Sequence, residues 1–121
     1  MVSISKTQII TMNRGDSLSY PIFINAGTKI LPLRYTIGEG DTLYVAVTEA
    51  NQRFEDALIK KVYTSEDLNE YGDVDFKLAP EDTEHLLPGM YYYEVKLVHE
   101  LEGEETIVTT IIPKKKLYIV E

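Results

Sequence analysis

Residues 86–97 of the chain read Leu-Leu-Pro-Gly-Met-Tyr-Tyr-Tyr-Glu-Val-Lys-Leu. Pro88-Gly89 is a turn signal. After it, Tyr91, Tyr93, Val95 and Leu97 fall on one side of a period-2 strand, and Tyr92, Glu94 and Lys96 on the other. One buried face and one wet face characterise an antiparallel sheet packed on a second layer. The same alternation places Leu43, Val45 and Val47 inward in a strand over 42–49, with Thr42, Tyr44 and Thr48 outward. In 73–78 it turns Val74, Phe76 and Leu78 inward.

Weaker patterns fill the remaining chain. Residues 8–12 form a short apolar segment that ends at the turn cluster Asn13-Arg14-Gly15-Asp16. Residues 17–25 alternate Leu18, Tyr20, Ile22 and Ile24 against Ser17, Ser19, Pro21 and Asn25. Pro21 cannot donate to a ladder, so this strand lies at an edge or carries a bulge. Residues 26–40 read as a long connection with a brief strand around 33–37. In 57–63, Leu58 and Val62 lie opposite Ile59 and Tyr63, and the pattern leaves the inner face open. Thr64-Ser65-Glu66-Asp67 and Ala79-Pro80-Glu81-Asp82 each start a short helical turn, with a capping hydroxyl or a first-position proline and acids in the first turn. An acidic tip at 100–105 precedes a hairpin partner over 106–112. Pro113 interrupts that strand, and 117–120 forms a last short one.

Seven to eight short strands, with one or two helical turns, predict a single all-β domain spanning 1–121. Its expected form is an immunoglobulin-like antiparallel β-sandwich, with a jelly roll as the alternative. Tyr91 or Tyr93, near the start of the penultimate long strand, is placed to act as a tyrosine corner. The cysteine pair and core tryptophan of antibody domains are absent from the sequence.

At 121 residues the chain can bury one core, and 44% apolar with 26% charged residues is ordinary for a globular domain. No apolar run approaches the length of a membrane helix, and the start of the chain has no apolar stretch suited to a signal peptide. A net charge of −8, from 20 acidic and 12 basic residues, disfavours nucleic acid and anionic membrane as partners. Lys114-Lys115-Lys116 is the one basic run and reads as a solvated loop or a guarded strand edge rather than a docking patch. With no cysteine there is no thiolate chemistry and no disulfide.

Candidate chemistry is sparse. Arg14-Gly15-Asp16 spells an adhesion tripeptide but is explained as a turn. His85 stands beside Glu81, Asp82 and Glu84, where acids at a helix start are the commoner cause. Asp73 and Asp75 face the same way, as glycosidase acids do, with nothing in the sequence to desolvate one of them. No Gly-x-Ser-x-Gly elbow or glycine-rich phosphate loop occurs. The expectation is a non-enzyme without cofactor or metal. The unusual feature is nine tyrosines, of which Tyr35, Tyr44, Tyr71, Tyr92 and Tyr118 are candidates for outward or rim positions suited to protein interfaces or sugar stacking.

The series Gly15-Asp16, Asp41-Thr42-Leu43, Ala57-Leu58-Ile59, Gly72-Asp73-Val74, Leu78-Ala79-Pro80-Glu81-Asp82-Thr83 and Leu87-Pro88-Gly89-Met90-Tyr91-Tyr92-Tyr93-Glu94-Val95, closed by a threonine-rich strand, resembles small phage virion modules. It is similar to the N-terminal immunoglobulin-like domain of phage baseplate upper proteins and to related prophage tail or neck accessory proteins, over residues 15–120. The resemblance implies a structural module made in the bacterial host cytoplasm and assembled into a virion. Its expected partners are other virion proteins, with a homo-oligomer possible. Without a long helical or fibrous extension after residue 121, a stand-alone decoration or adaptor subunit is expected. The candidate interface is Tyr92, Tyr118 and the strand edge at Pro113. The alternative is a carbohydrate-binding or adhesin-type sandwich. The thermal unfolding midpoint is expected to be the same with and without EDTA, and a drop of several degrees on chelation would contradict the metal-free reading.

Overall fold

The computed structural model describes residues 2–4, 7–25 and 33–121. Part of the predicted connection at 26–40, residues 26–32, lies outside the described residues. Among them are eight strands: β1 (Ser3–Ile4), β2 (Ile10–Asn13), β3 (Leu18–Ile22), β4 (Asp41–Thr48), β5 (Ile59–Tyr63), β6 (Val74–Leu78), β7 (Gly89–His99) and β8 (Ile107–Val120). One helical turn, α1 (Pro80–Thr83), and two three-residue 3-10 turns at Phe54–Asp56 and Ser65–Asp67 complete the described secondary structure. No described helix is long and apolar enough to cross a membrane.

The strands form a six-stranded sheet in the order β1-β2-β8-β7-β4-β5 and a pair, β3-β6. The two share one core. Leu43, Val45, Val47, Tyr93, Val95, Leu117 and Ile119 from the large sheet cluster with Leu18, Ile22, Val74, Phe76 and Leu78 from the small one. Each of these strands presents every second residue inward, so two apolar faces close on each other and the architecture is a β-sandwich. Phe76 of β6 stacks on Tyr93 of β7 across the interior, with ring centroids 6.2 Å apart and planes 26° apart. Phe76 and Tyr93 are both fully buried.

Tyr91 supplies the tyrosine corner. Its hydroxyl donates to the Leu87 carbonyl oxygen at 2.6 Å, tying the start of β7 to the connection that precedes it. Tyr93, two residues on, sends its hydroxyl to the Gln8 carbonyl oxygen just ahead of β2. The two helix-start signatures also form. Asp67 accepts from the Thr64 N–H at 2.8 Å, and Asp82 from the Ala79 N–H at 2.7 Å.

The structure corrects the sequence reading at several points. The sandwich is not wholly antiparallel, because β2 runs parallel to β8, pairing Ile10 with Leu117 and Asn13 with Val120. A parallel pair needs a long crossover, which the intervening strands supply. Pro113 does not interrupt the strand. β8 continues through it for 14 residues, and its register against β7 steps between Tyr93 and Val95 and again between Val95 and Lys96. Each step places an extra residue in β8, and such bulges absorb a residue that cannot donate to the ladder. Thr48 faces outward by alternation yet is buried, as is Ala46, because the 49–58 segment folds back over this part of the sheet. In β5 the inner side belongs to Ile59, with Leu58 and Val62 exposed. Pro21 stands in a strand that pairs only with β6 among the described residues, so it occupies an edge.

Phe76→Ala is expected to cost about 3–5 kcal/mol, a large part of the roughly 5–15 kcal/mol that holds such a domain folded. Tyr91→Phe, which removes only the corner hydrogen bond, is expected to cost about 1 kcal/mol. Denaturant unfolding midpoints measure both, and a Phe76→Ala loss no larger than that of Tyr91→Phe would contradict the central packing.

Candidate docking surface

Alternation along β7 and β8 decides which side chains leave the core. Tyr92 lies between buried Tyr91 and Tyr93, and Tyr118 between buried Leu117 and Ile119, so both point out of the large sheet. Tyr92 stands opposite Lys116, and Met90 opposite Tyr118. The two tyrosines are therefore diagonal neighbours on one face, each half-buried, beside exposed Met90 and Lys116. Pro113 is exposed in the bulged part of β8, farther along the strand.

The other half of this outer face is covered. Phe54 lies against it with its ring edge-on to Tyr44 at 6.5 Å, while the Lys60 and Lys96 ammonium groups sit 5.1 and 4.7 Å from the ring centroid. Lys114 fastens the same segment by donating to the Gln52 carbonyl oxygen at 3.0 Å. Phe54 thus covers that part of the face, and the uncovered half is the part that carries Tyr92 and Tyr118.

A polar cluster closes one end of the sandwich. Asp41 opens β4 and is paired in register with His99, the last residue of β7. The Asp41 carboxylate is buried. It accepts from the Tyr35 hydroxyl, from the Gly38 N–H at 2.9 Å and from His99 Nδ1 at 2.6 Å. His99 Nε2 lies 3.5 Å from the Glu104 carboxylate. An imidazole with a carboxylate at each nitrogen is matched only by its doubly protonated form. The Asp41 hydrogen bond is the main cause that raises the His99 pKa. Burial pushes the Asp41 carboxyl up, but the hydrogen bonds from Tyr35, Gly38 and His99 outweigh it and hold the group below its ordinary value. Tyr35, bonded to that carboxylate, is pushed up to about 12. Gly40 makes this end possible. Its φ is +83°, and a Cβ there would come within 2.5 Å of the Leu101 side chain.

Next to the cluster lies an open depression of about 490 Å³, lined by Asp41, Thr42, Tyr44, Thr64 and Glu66 among others. The remaining sequence candidates are tied up locally. Gly15 donates to the buried Thr83 hydroxyl at 2.9 Å, so Arg14-Gly15-Asp16 is held as a turn against α1. Asp73 pairs with Arg34 at 3.3 Å, and Asp75 accepts from Asn69 at 3.1 Å. Asp82, beside His85 in sequence, pairs with Lys61 at 2.9 Å. No group of three or more histidines and acids among the described residues is arranged to hold a metal ion.

No protein-family model, curated protein sequence or solved structure matches this chain. The Asp41–His99 pair was not visible in the sequence. An acid at the start of one strand and a histidine at the end of another are ordinary until the strand pairing is known.

A histidine with a raised pKa contributes stability in full below its ordinary value of 6.5 and loses it as pH rises through the folded value. Asp41 works in reverse, contributing above 3.8 and losing the contribution as pH falls through its lowered folded value. The difference in thermal midpoint between wild type and His99→Gln is therefore expected to be largest between pH 3.8 and 6.5 and to shrink on going alkaline. A difference that stays flat across neutral pH would contradict the ion pair.

Proposed function

We propose that this chain is a non-catalytic docking module of a phage or prophage virion, a baseplate, tail or neck accessory protein that binds other virion proteins. The observation that carries the reading is the uncovered half of the outer sheet face, where Tyr92, Tyr118, Met90 and Lys116 sit together on two hydrogen-bonded strands. Tyrosine and methionine are enriched in protein interfaces, and tyrosine offers a large contact area with few rotors to immobilise. Strands hold these side chains in place before a partner arrives, which lowers the entropy cost of binding. The virion setting is supported by the sequence resemblance over residues 15–120.

Mixed with the tail, neck and baseplate proteins of its own genome, the protein is expected to co-elute with at least one at micromolar concentration. The double variant Tyr92→Ala, Tyr118→Ala is expected to weaken that complex by about tenfold or more. Failure to bind any of them, with binding to a glycan array instead, would move the assignment to a carbohydrate-binding module that uses the same pair of rings.

A further inference from the structure

The chain carries a net charge of −8, yet its large sheet is basic. Among the described residues, the strands of that sheet hold Asp41 and Glu94 as their acids, against Lys60, Lys61, Lys96 and the lysines of 114–116. Asp41 is buried at the end of the sandwich, so Glu94 is the one carboxylate these strands turn outward. Lys60, Lys96, Lys114 and Lys116 share its face. Lys60 and Lys96 lie over the Phe54 ring, Lys114 reaches Gln52 in the same covering segment, and Lys116 stands opposite Tyr92.

These cations have no anion of their own. Among the described residues Arg14, Arg34, Arg53 and Lys61 are ion-paired with carboxylates, whereas none of the outward lysines lies within ion-pair distance of one. A ring face and a backbone carbonyl hold Lys60, Lys96 and Lys114 in place without cancelling their charge. Like charges gathered on a rigid sheet repel one another, and a carboxylate-bearing surface laid across them removes that repulsion. Rings and ammonium groups also stand side by side, Tyr44 opposite Lys96 and Tyr92 opposite Lys116. The rings supply contact area, and the charges beside them select the sign of what binds.

A nucleic-acid backbone is a continuous line of charge and calls for a continuous basic track. Here Glu94 interrupts the lysines, and exposed Glu49, Glu55 and Asp56 border them in the covering segment. A surface with a few discrete carboxylates fits this pattern better. We infer that the Tyr92–Tyr118 face takes an acidic protein surface, whose carboxylates meet Lys96, Lys114 and Lys116 around the two rings. The inference rests on the docking reading above and adds to it the charge of the partner.

Poly-L-glutamate serves as the probe, titrated into the isotope-labelled full chain near neutral pH. Amide NMR spectra read the binding and confirm that each variant is folded. Shifts are expected at residues 90–96 and 114–118, with binding about tenfold weaker on going from low salt to about 0.3 M NaCl. Lys116→Glu is expected to weaken binding about fivefold. Lys77→Glu, which changes the net charge equally at an exposed lysine of the small sheet, is expected to leave it unchanged. Shifts that are absent or scattered, or an equal loss in both variants, overturn the inference. Oligothymidylate binding as tightly at the same face overturns it too, in favour of a general polyanion surface. The virion partner separates this inference from the docking reading. A complex that needs Tyr92 and Tyr118 but ignores Lys116→Glu and salt overturns the inference alone. Polyglutamate binding at this face with no virion partner supports the inference and overturns the virion setting.

Discussion

The structure depends on one contact between its two sheets, the ring of Phe76 lying over the ring of Tyr93. A two-stranded sheet buries little by itself, and β3-β6 is held in place by what it packs against. Tyr93 is also where three parts of the chain meet. Its ring lies in the core, its strand is the centre of the large sheet, and its hydroxyl holds the Gln8 carbonyl at the approach to β2. Gln8 has a φ of +66°, a conformation disfavoured for a residue with a Cβ, and the Tyr93 hydroxyl holds the backbone there. Burial pushes the Tyr93 hydroxyl pKa up, so it remains a neutral donor through the physiological range.

That central position also governs the outer surface. Because Tyr91, Tyr93, Val95 and Leu97 are drawn inward, Tyr92, Glu94, Lys96 and Val98 are turned out on a strand that cannot rotate without emptying the core. Part of this outward row is used internally, as Lys96 goes to Phe54. The rest is presented as a fixed pattern beside β8. The same rigidity brings His99 opposite Asp41, where a buried carboxylate is satisfied by three donors. No buried side-chain polar atom among the described residues lacks a partner. An end closed in this way ties the base of the β7-β8 hairpin to β4 and limits where the acidic tip can lie.

Charge is distributed unevenly over this frame. A net −8 would keep copies of the chain apart at random orientations. The basic run at 114–116 lies within β8, while the acids at 102–105 lie in the turn that precedes it, where Glu104 faces His99.

Much of the fold was legible because it is local. Alternation over a few residues decides that Leu43, Val45, Val47, Val74, Phe76, Tyr91, Tyr93, Val95 and Leu97 face one way, and all nine are buried. The turn at Gly15, the capping acids Asp67 and Asp82, and the corner at Tyr91 follow from chemistry within a few residues of each. Other features rest on contacts between distant parts of the chain, and only the tertiary structure decided them. Whether β2 runs parallel or antiparallel depends on the edge it meets more than a hundred residues later, and Ile10 carries no mark of Leu117. Pro113 reads as a break because it lacks a donor, but a bulge against β7 carries the strand past it. Thr48 reads as outward because neighbours alternate, and it is buried because a later segment folds over it. Tyr92 and Tyr118 were legible as outward residues from their own strands, but their adjacency depends on the β7-β8 register. Side-chain direction is encoded every two residues, while register is settled by the packing of the whole core.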